Sequence, residues 1–371
     1  MMLETPRRYV LMAATLVAAA AAAAAGLTAC RPAPGADGFV GKDAKGVITL
    51  AIGATADLAE PVSAFRLTDH FEEVGTILPG DDPSTYLMNP GFAYFDEESV
   101  LAFARDRVLR LSIRDGSFLC AYGRPGRGPG EYIQTDQCYV RGGEVYVNDI
   151  LSNYHVYAAE DGKLLREAPV AEDRSQFNIL GPLEGEYSLV CYSSMSTKDH
   201  LFDVVDASGK VVREGSVPVD FEEARRQGGI RLGRYVRMNG YTCVSDDNYD
   251  LYRVLPKRDE LWIRFDRGDY TQRSDRRLSV DNLKAIGPFF FLELHTDRTD
   301  VMAIYDLDSR RLVFTSTYSA QKDGVERYHT WGIPYERDGE TLYLQPVMAD
   351  QDLLVCRDRT EPDNYYIFRQ K

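Results

Sequence analysis

Apolar and polar residues alternate along most of the chain. In the segment RVLRLSI, Leu109, Leu111 and Ile113 fall on one side, and GEVYVND repeats the pattern with Val145 and Val147. A period of two, in stretches rich in Val, Leu, Tyr and Phe, is typical of β-strands. Helical periodicity is scarce by comparison. The sequence therefore predicts an all-β protein.

One hairpin pattern recurs, in which an acidic turn with Gly or Ser separates two apolar strands. Its first four turns are centred on Gly116, Gly162, Gly209 and Ser309. The first two intervals are 46 and 47 residues, and the third is 100, about twice as long. A further hairpin is therefore expected near Asp259, where Lys257-Arg258-Asp259 lies between apolar segments. One more interval leads to a sixth turn at Glu361-Pro362-Asp363.

This interval defines the predicted architecture. An all-strand unit of about 40 to 50 residues has the size of one four-stranded propeller blade. Six such units predict a six-bladed β-propeller of antiparallel blades over residues 47–371. A large β-sandwich is the alternative, although a sandwich has no reason to repeat one hairpin at a fixed interval.

The segment YGRPGRGPGEY concentrates glycine and proline between the first two predicted blades. A phosphate-binding loop would need G-x-x-x-x-G-K-[ST], or G-x-G-x-x-G opening a helix. Here a strand follows, and no Lys-Ser/Thr is present. Gly permits positive φ and Pro fixes φ, so a tight inter-blade connector is predicted instead. Its residues are Gly123, Gly126, Gly128, Pro129, Gly130 and Glu131.

GRPGRGPGEY also resembles the G-[RK]-x-G-x-G-P-G-E-[FY] signature of the six-bladed β-propeller lipoproteins of Gram-negative bacteria, a TolB-like propeller group. Two looser likenesses are FRLTDHFEEVGTILPGDD, whose ILPGDD ending departs from the family pattern, and LYRVLPKRDELWIRFDRGDY. The resemblance covers about residues 47–371. It implies a propeller on a lipid anchor, and it implies no chemistry, because most members have no assigned activity.

The first thirty residues have the pattern of an export signal. Arg7 and Arg8 precede an apolar run from Val10 to Ala25, and Leu27-Thr28-Ala29-Cys30 resembles the bacterial lipobox. We therefore expect residues 1–29 to be a lipoprotein signal peptide and Cys30 to be lipidated. Residues 30–46 are expected to form a flexible tether rich in Pro, Gly and Ala. An ordinary secretory signal is the alternative.

The charge composition of the chain limits the classes of partner that it is expected to bind. The formal net charge of -14 argues against nucleic acid or an anionic lipid surface as the main partner. Attachment to the membrane is expected only through the N-terminal lipid. The expected location is the cell envelope, at the outer membrane, more on its periplasmic face than on the cell surface.

The sequence contains no catalytic or metal-binding motif. Its five His are widely separated, and neither H-E-x-x-H nor C-x-x-C occurs. No cofactor, metal or catalytic residue is predicted. Apart from Cys30 there are five cysteines, for which buried free thiols are favoured over a Cys120–Cys138 disulfide.

One segment is unusually basic. RRQGGIRLGRYVR, residues 225–237, holds five Arg and three Gly between the third and fourth hairpins. Arg and Tyr side chains together grip carboxylates, sulfates or sugar rings. The candidate ligand-binding residues are Arg226, Arg231, Arg234, Tyr235 and Arg237. A solvated, internally ion-paired loop is the alternative.

Two functional hypotheses follow. The first is a lipid-anchored β-propeller that serves as a binding or scaffold module of the cell envelope, its partner an envelope protein, glycan or peptide. The second is a glycan- or peptide-processing enzyme, a lyase or hydrolase, with its site at the central channel. They would be separated by whether titratable side chains converge there.

Overall fold

The computed structural model describes residues 37–371 apart from 79–86, 105, 150–152, 170–176, 193–199, 219–234, 247, 271–276 and 320–330. Within these residues nearly all regular structure is β-strand, and the two helices have only five and four residues. The main strands form six sheets arranged as the blades of one propeller. The predicted all-β, six-bladed fold with four-stranded antiparallel blades is confirmed. None of the helices in the described part of the chain has the length and apolar character needed to span a membrane.

The N-terminal part adds strands at the outer edges of two blades, the fourth, which it extends by a parallel pairing, and the last. Its elements are β1 (Val40–Lys42), β2 (Ile48–Leu50), α1 (Ile52–Ala56), α2 (Leu67–His70) and β3 (Phe71–Ile77). Strands β1 and β2 form an antiparallel hairpin. Three residues expected in the flexible tether, Val40–Lys42, are therefore part of an ordered strand.

Blades 1 to 3 follow, with two short strands in the connector between the first two. Blade 1 comprises β4 (Gly91–Tyr94), β5 (Ser99–Ala104), β6 (Arg107–Ser112) and β7 (Phe118–Ala121). The connector holds β8 (Arg124–Pro125) and β9 (Glu131–Tyr132). Blade 2 comprises β10 (Thr135–Arg141), β11 (Glu144–Asp149), β12 (Asn153–Ala158) and β13 (Leu164–Pro169). Blade 3 comprises β14 (Phe177–Pro182), β15 (Ser188–Tyr192), β16 (Phe202–Val205) and β17 (Val211–Glu214).

Blades 4 to 6 complete the ring. Blade 4 comprises β18 (Tyr235–Met238), β19 (Tyr241–Ser245), β20 (Leu251–Val254) and β21 (Asp259–Phe265). Blade 5 comprises β22 (Leu278–Ile286), β23 (Phe289–Thr296), β24 (Asp300–Asp306) and β25 (Arg311–Tyr318). The last sheet holds β26 (Ile333–Arg337), β27 (Glu340–Asp350), β28 (Leu353–Asp358) and β29 (Tyr365–Gln370), with β3 at its edge.

The N-terminal strand closes the ring in blade 6. Strand β27 packs against the innermost strands β22 and β4, so it is the strand of this blade nearest the axis. Strand β26 pairs only with the first half of β27, Glu340 to Leu344. Strand β3 pairs antiparallel with β29 and supplies the outermost strand. Blade 6 is therefore β27-β28-β29-β3, with β26 as an addition.

Five of the six predicted turns join the third and fourth strands of their blades. In four of them an Asp begins the turn and its carboxylate accepts a backbone N–H two residues later, as Asp161 does from Lys163 at 3.0 Å. Gly162 has a φ of 71°, which glycine adopts without strain. The sixth turn, at Glu361-Pro362-Asp363, joins β28 and β29, the second and third strands from the axis. This turn joins an earlier pair of strands than the other five do, because the outermost strand of blade 6, β3, comes from the N-terminal part of the chain.

The core is divided among the blade interfaces. Six clusters of buried apolar side chains are present, and each joins two neighbouring blades. Along β5, Val100 and Ala102 contact blade 6, whereas Leu101 contacts blade 2. Both faces of a blade are thus buried, which explains the high apolar content of the strands. All five cysteines among the described residues are free, and four of them are buried.

Candidate functional site

A cavity of about 1000 Å³ lies on the axis of the propeller. Its walls come from β4, β10, β14, β18, β22 and β27, the innermost strands of the six blades. A central cavity of this size falls within the range of small-ligand sites, about 300–1000 Å³. Because every blade contributes, the cavity can hold a ligand only when the ring is closed.

Aromatic rings form one wall, at blade 1. Tyr94 ends β4, Phe95 follows it directly, and Phe103 lines the cavity from the second strand of the blade. Phe103 fits there because Gly91 has no side chain: a Cβ at that position would lie 2.5 Å from the ring. The absence of a side chain at Gly91 thus allows the ring of Phe103, on the second strand of blade 1, to reach the axial cavity.

Irregular backbone forms the wall at blades 5 and 6. The pairing of β22 with β23 shifts between Asp281 and Lys284, which leaves Asn282 bulged at a φ of 50°. The Asn282 side chain donates hydrogen bonds to Glu293 Oε1 at 3.1 Å and to the Pro346 carbonyl at 2.8 Å. Bulges re-aim side chains and are frequent beside functional sites. Here the bulge places Asp281 and Lys284 in the cavity lining.

One ion pair crosses the cavity wall between blades 4 and 6. Arg237 Nε lies 2.6 Å from Asp350 Oδ2, and the other carboxylate oxygen accepts the backbone N–H groups of Gly240 and Gln351. Asp350 is 7% exposed, so its charge is compensated inside the protein. The pair ties the fourth blade to the closing blade.

Strand β10 presents three polar side chains to the cavity at alternate positions, Gln137, Tyr139 and Arg141. Arg141 donates from one terminal nitrogen to the Tyr187 carbonyl at 2.7 Å and to Ser188 Oγ at 3.1 Å. Its guanidinium lies 5.0 Å from the centre of the Tyr146 ring. No carboxylate of the described residues lies within ion-pair distance of Arg141, in contrast to Arg237.

Two of these groups are buried without a hydrogen-bond partner. The Tyr139 side chain is only 6% exposed, and neither its hydroxyl nor Gln137 Oε1 has a partner among the described residues. Burial raises the pKa of Tyr139 against smaller opposing effects of Arg141 and the nearby Ser188 hydroxyl, so the phenol is neutral. An unsatisfied buried polar group costs about 1–3 kcal/mol, and such groups in native proteins often await a ligand or water.

A hydrogen-bonded chain of three side chains begins at the blade 3 wall. Tyr192, which lines the cavity, donates its hydroxyl to Asp203, and Asp203 Oδ1 lies 2.8 Å from His200 Nε2. All three are buried, with Asp203 at 1% exposure. Burial and the bond to Asp203 raise the pKa of Tyr192. At neutral pH this residue can therefore donate a hydrogen bond but is a poor base.

A second buried network lies behind the bulge, between blades 5 and 6. Glu293 Oε1 accepts from Gln345 Nε2 at 2.6 Å and from Arg359 at 3.1 Å, and the Arg359 guanidinium stacks 4.1 Å from the Trp331 ring. These contacts join one side of the cavity wall into a single hydrogen-bonded unit.

The predicted Arg-rich site is only partly described. Arg226, Arg231 and Arg234 lie outside the described residues, and of Tyr235 only the backbone, as the start of β18, is described. Arg237 lines the cavity. Sequence analysis missed Gln137, Tyr139 and Arg141 of blade 2 and Asp350 of blade 6, which carry no recognisable motif.

The glycine motif lies elsewhere, between β7 of blade 1 and β10 of blade 2. Glu131 Oε2 accepts the Gly128 N–H at 2.8 Å, and its other oxygen lies 2.7 Å from Arg124 Nε. Tyr157 donates to the Gly130 carbonyl at 2.9 Å. Gly126, Gly128 and Pro129 lie in the turn between the paired strands β8 and β9.

The glycines of this connector leave no free volume. At Gly123, whose φ is 70°, a Cβ would lie 2.3 Å from the Tyr157 hydroxyl, and at Gly126 it would lie 2.0 Å from Glu131. The next element after Glu131 and Tyr132 is strand β10, not a helix, so the connector has no helix N-terminus to hold a phosphate.

Metal-ligating side chains do not cluster: no group of three His, Cys, Asp or Glu among the described residues could hold an ion. The described polar groups of the cavity are phenol, amide, guanidinium, ammonium and carboxylate groups, and they lie beside aromatic rings. These groups suit recognition of a polar organic ligand through hydrogen bonds and ring contacts.

The fold gives the class of the protein, a six-bladed β-propeller. No family model matches the sequence, and no curated protein matches it. A solved protein of Bacteroides fragilis NCTC 9343, named as a candidate exported protein, is similar in structure, with a TM-score of 0.56 and 14% identity over 84% of this chain and 98% of its own.

More distant structural likenesses are found to the WD40 domain of Pan2 from Neurospora crassa, with a TM-score of 0.43, 10% identity and coverage of 81% and 95%. BamB from Moraxella catarrhalis has a TM-score of 0.34, 11% identity and coverage of 74% and 70%. At such identities, structural similarity concerns the fold alone.

Proposed function

We propose that this protein is a lipid-anchored β-propeller of the bacterial cell envelope that binds a polar ligand in its axial cavity. The observation that carries the binding role is the cavity itself. All six blades line it, and β10 brings to it a buried phenol and an amide oxygen that have no hydrogen-bond partner among the described residues. In the glycine connector, by contrast, the buried hydroxyls are all hydrogen-bonded.

The envelope location is supported by the sequence. The lipobox-like Leu27-Thr28-Ala29-Cys30 and the resemblance to TolB-like propeller lipoproteins favour export and lipidation at Cys30. The candidate exported protein of Bacteroides fragilis has a similar fold. Outer-membrane attachment with a periplasmic propeller is the arrangement we infer.

Two experiments test these parts separately. For the anchor, Cys30→Ala is expected to move the protein from the membrane fraction to the soluble fraction. Unchanged sedimentation with membranes would rule out the lipid anchor.

For the cavity, Ala93→Phe places a ring against the axial space without altering charge. Thermal-shift measurements with defined envelope molecules, namely peptidoglycan disaccharide-peptides, lipopolysaccharide core oligosaccharides and uronate oligosaccharides, should give a stabilising shift with the wild type. The shift should be lost in the variant. A shift of equal size in both proteins would place the binding site outside the cavity, and none with any molecule would count against the binding role.

An enzymatic role is the second candidate, and the Tyr192–Asp203–His200 chain is the observation that favours it. Such a chain can relay a proton: the Tyr192 oxygen takes a proton from the bound molecule while its own proton passes to Asp203. Asp203→Asn would then abolish turnover of bound glycan or peptide while leaving affinity within a few-fold of the wild type. If no product forms with the wild type over long incubation of any bound molecule, the enzymatic role is excluded for those molecules.

A further inference from the structure

The charges of the cavity lining differ in sign from those of the whole chain. Among the described lining residues there are three cations, Arg141, Arg237 and Lys284, and two carboxylates, Asp281 and Asp350. The chain as a whole has a net charge of -14. A positive balance inside a closed ring of an acidic protein focuses the field on the axis, because low-dielectric walls weaken screening.

The two carboxylates are already engaged. Asp350 is held by Arg237 and two backbone amides, and Asp281 Oδ2 lies 3.6 Å from His295 Nε2. Arg141 has only neutral acceptors, a carbonyl and a hydroxyl. The carboxylates of Glu144 and Glu186 act on its charge only from beyond ion-pair distance, so the guanidinium keeps unused donors that suit a carboxylate.

Arg141 is also well placed. It lines both the axial cavity and a smaller cavity of about 280 Å³ between blades 2 and 3, so it lies where the two meet. Two and four residues earlier on the same strand lie Tyr139 and Gln137, whose buried oxygens have no described partner. Alternate residues of a strand share a side, so the three groups form one polar row.

The wall at blade 1 supplies rings instead of charges. Tyr94, Phe95 and Phe103 present aromatic groups to the same cavity. Sugar rings pack their C–H faces on such groups while their hydroxyls take amide and phenol hydrogen bonds.

We propose that the axial cavity binds a carboxylate-bearing sugar, with Arg141 on the carboxylate, Tyr139 and Gln137 on ring hydroxyls, and the blade 1 aromatic rings against the sugar face. This inference rests on the proposed function and specifies its ligand class.

The test compares acidic sugars with matched neutral ones. Isothermal titration of the full-length protein in detergent would use tri-galacturonate and sialyllactose, together with their methyl esters. The acids are expected to bind at least about tenfold more tightly than the esters, since a hydrogen bond to a charged group is worth more than a neutral one. Equal binding of acid and ester would overturn the ligand class while leaving the cavity as a binding site.

Variants locate the contact. Arg141→Gln should weaken binding of the acids by about tenfold to a hundredfold and leave the esters unchanged. Arg258→Gln is the matched control, because Arg258 is exposed, pairs with Glu260 and is absent from the cavity lining, while the charge change is the same. Equal losses in both variants would overturn the role of Arg141.

The Tyr139→Phe variant separates an effect on ligand binding from an effect on folding. It removes only a hydroxyl without a described partner, so thermal stability should not fall, whereas affinity for the acidic sugars should drop several-fold. If stability falls and affinity is unchanged, the hydroxyl serves the fold and the proposed contact is wrong. If neither acids nor esters bind while peptidoglycan disaccharide-peptides do, the sugar acid is excluded and the cavity keeps a different ligand.

Discussion

The glycine connector and the axial cavity differ in how fully their polar groups are satisfied. In the connector the hydroxyls of Tyr122, Tyr132 and Tyr157 all donate to backbone carbonyls. At the cavity, Tyr139 is also buried, but its hydroxyl has no hydrogen-bond partner among the described residues. Folding stability favours the first arrangement, and a buried hydroxyl without a described partner calls for a further explanation, such as a bound ligand or water. The difference supports a structural role for the connector and the proposed binding role for the cavity.

The largest effect that this comparison predicts is at Gly123. Gly123→Ala should lower the free energy of unfolding by about 3 kcal/mol, because it combines a positive φ with a Cβ 2.3 Å from the Tyr157 hydroxyl. Gly209→Ala, at a φ of 80° with no atom within 4 Å of the Cβ, should cost only about 1 kcal/mol. Urea unfolding would measure both. Equal losses would show that the connector is not tightly packed.

A smaller effect comes from the same substitution made in both regions. Tyr157→Phe breaks the bond to the Gly130 carbonyl and should cost about 1–2 kcal/mol. Tyr139→Phe should change stability by less than about 0.5 kcal/mol, or raise it. If the two variants lose stability equally, the hydroxyl at the cavity has a structural partner and the comparison fails.

The pH dependence gives the smallest effect. Burial raises the pKa of Tyr122, Tyr132, Tyr157 and Tyr139 above the ordinary value of 10.0. Above pH 10 the unfolded chain loses these protons while the folded protein keeps them, so stability should be full below pH 10 and fall as the pH rises beyond it. Urea unfolding at several pH values would show this slope.

The phenylalanine variants sharpen that measurement. Tyr157→Phe and Tyr139→Phe should each remove the contribution of one tyrosine to the loss of unfolding free energy above pH 10. Only Tyr157→Phe should lower stability at pH 7. A slope unchanged by either variant would mean that the corresponding phenol ionises as readily in the folded protein as in the unfolded chain.

Features set by neighbouring residues could be predicted from the sequence. The turn at Gly162 needs an Asp to accept an amide and a glycine at positive φ, and both signals lie within a few residues. The spacing of such turns predicted six blades. The connector was equally local, since its glycines and Glu131 bond to one another or to adjacent strands.

Features that depend on residues far apart in the chain could not be predicted from the sequence. Closure by β3 pairs residues 71–77 with the C-terminal strand β29, and no local pattern shows that the last blade is offset by one strand. The cavity joins Arg141, Arg237 and Asp350 from three blades, so no spacing along the chain reveals it. Of the predicted Arg-rich site, Arg237 alone could be placed at the cavity.

Hydrogen–deuterium exchange on the full-length protein, with and without tri-galacturonate, tests the central assignment most directly. If the cavity is the binding site, peptides from the inner strands β10, β18, β22 and β27 should gain protection with ligand, and the connector, residues 123–132, should exchange as before. Protection confined to the connector, with the inner strands unchanged, would contradict the account.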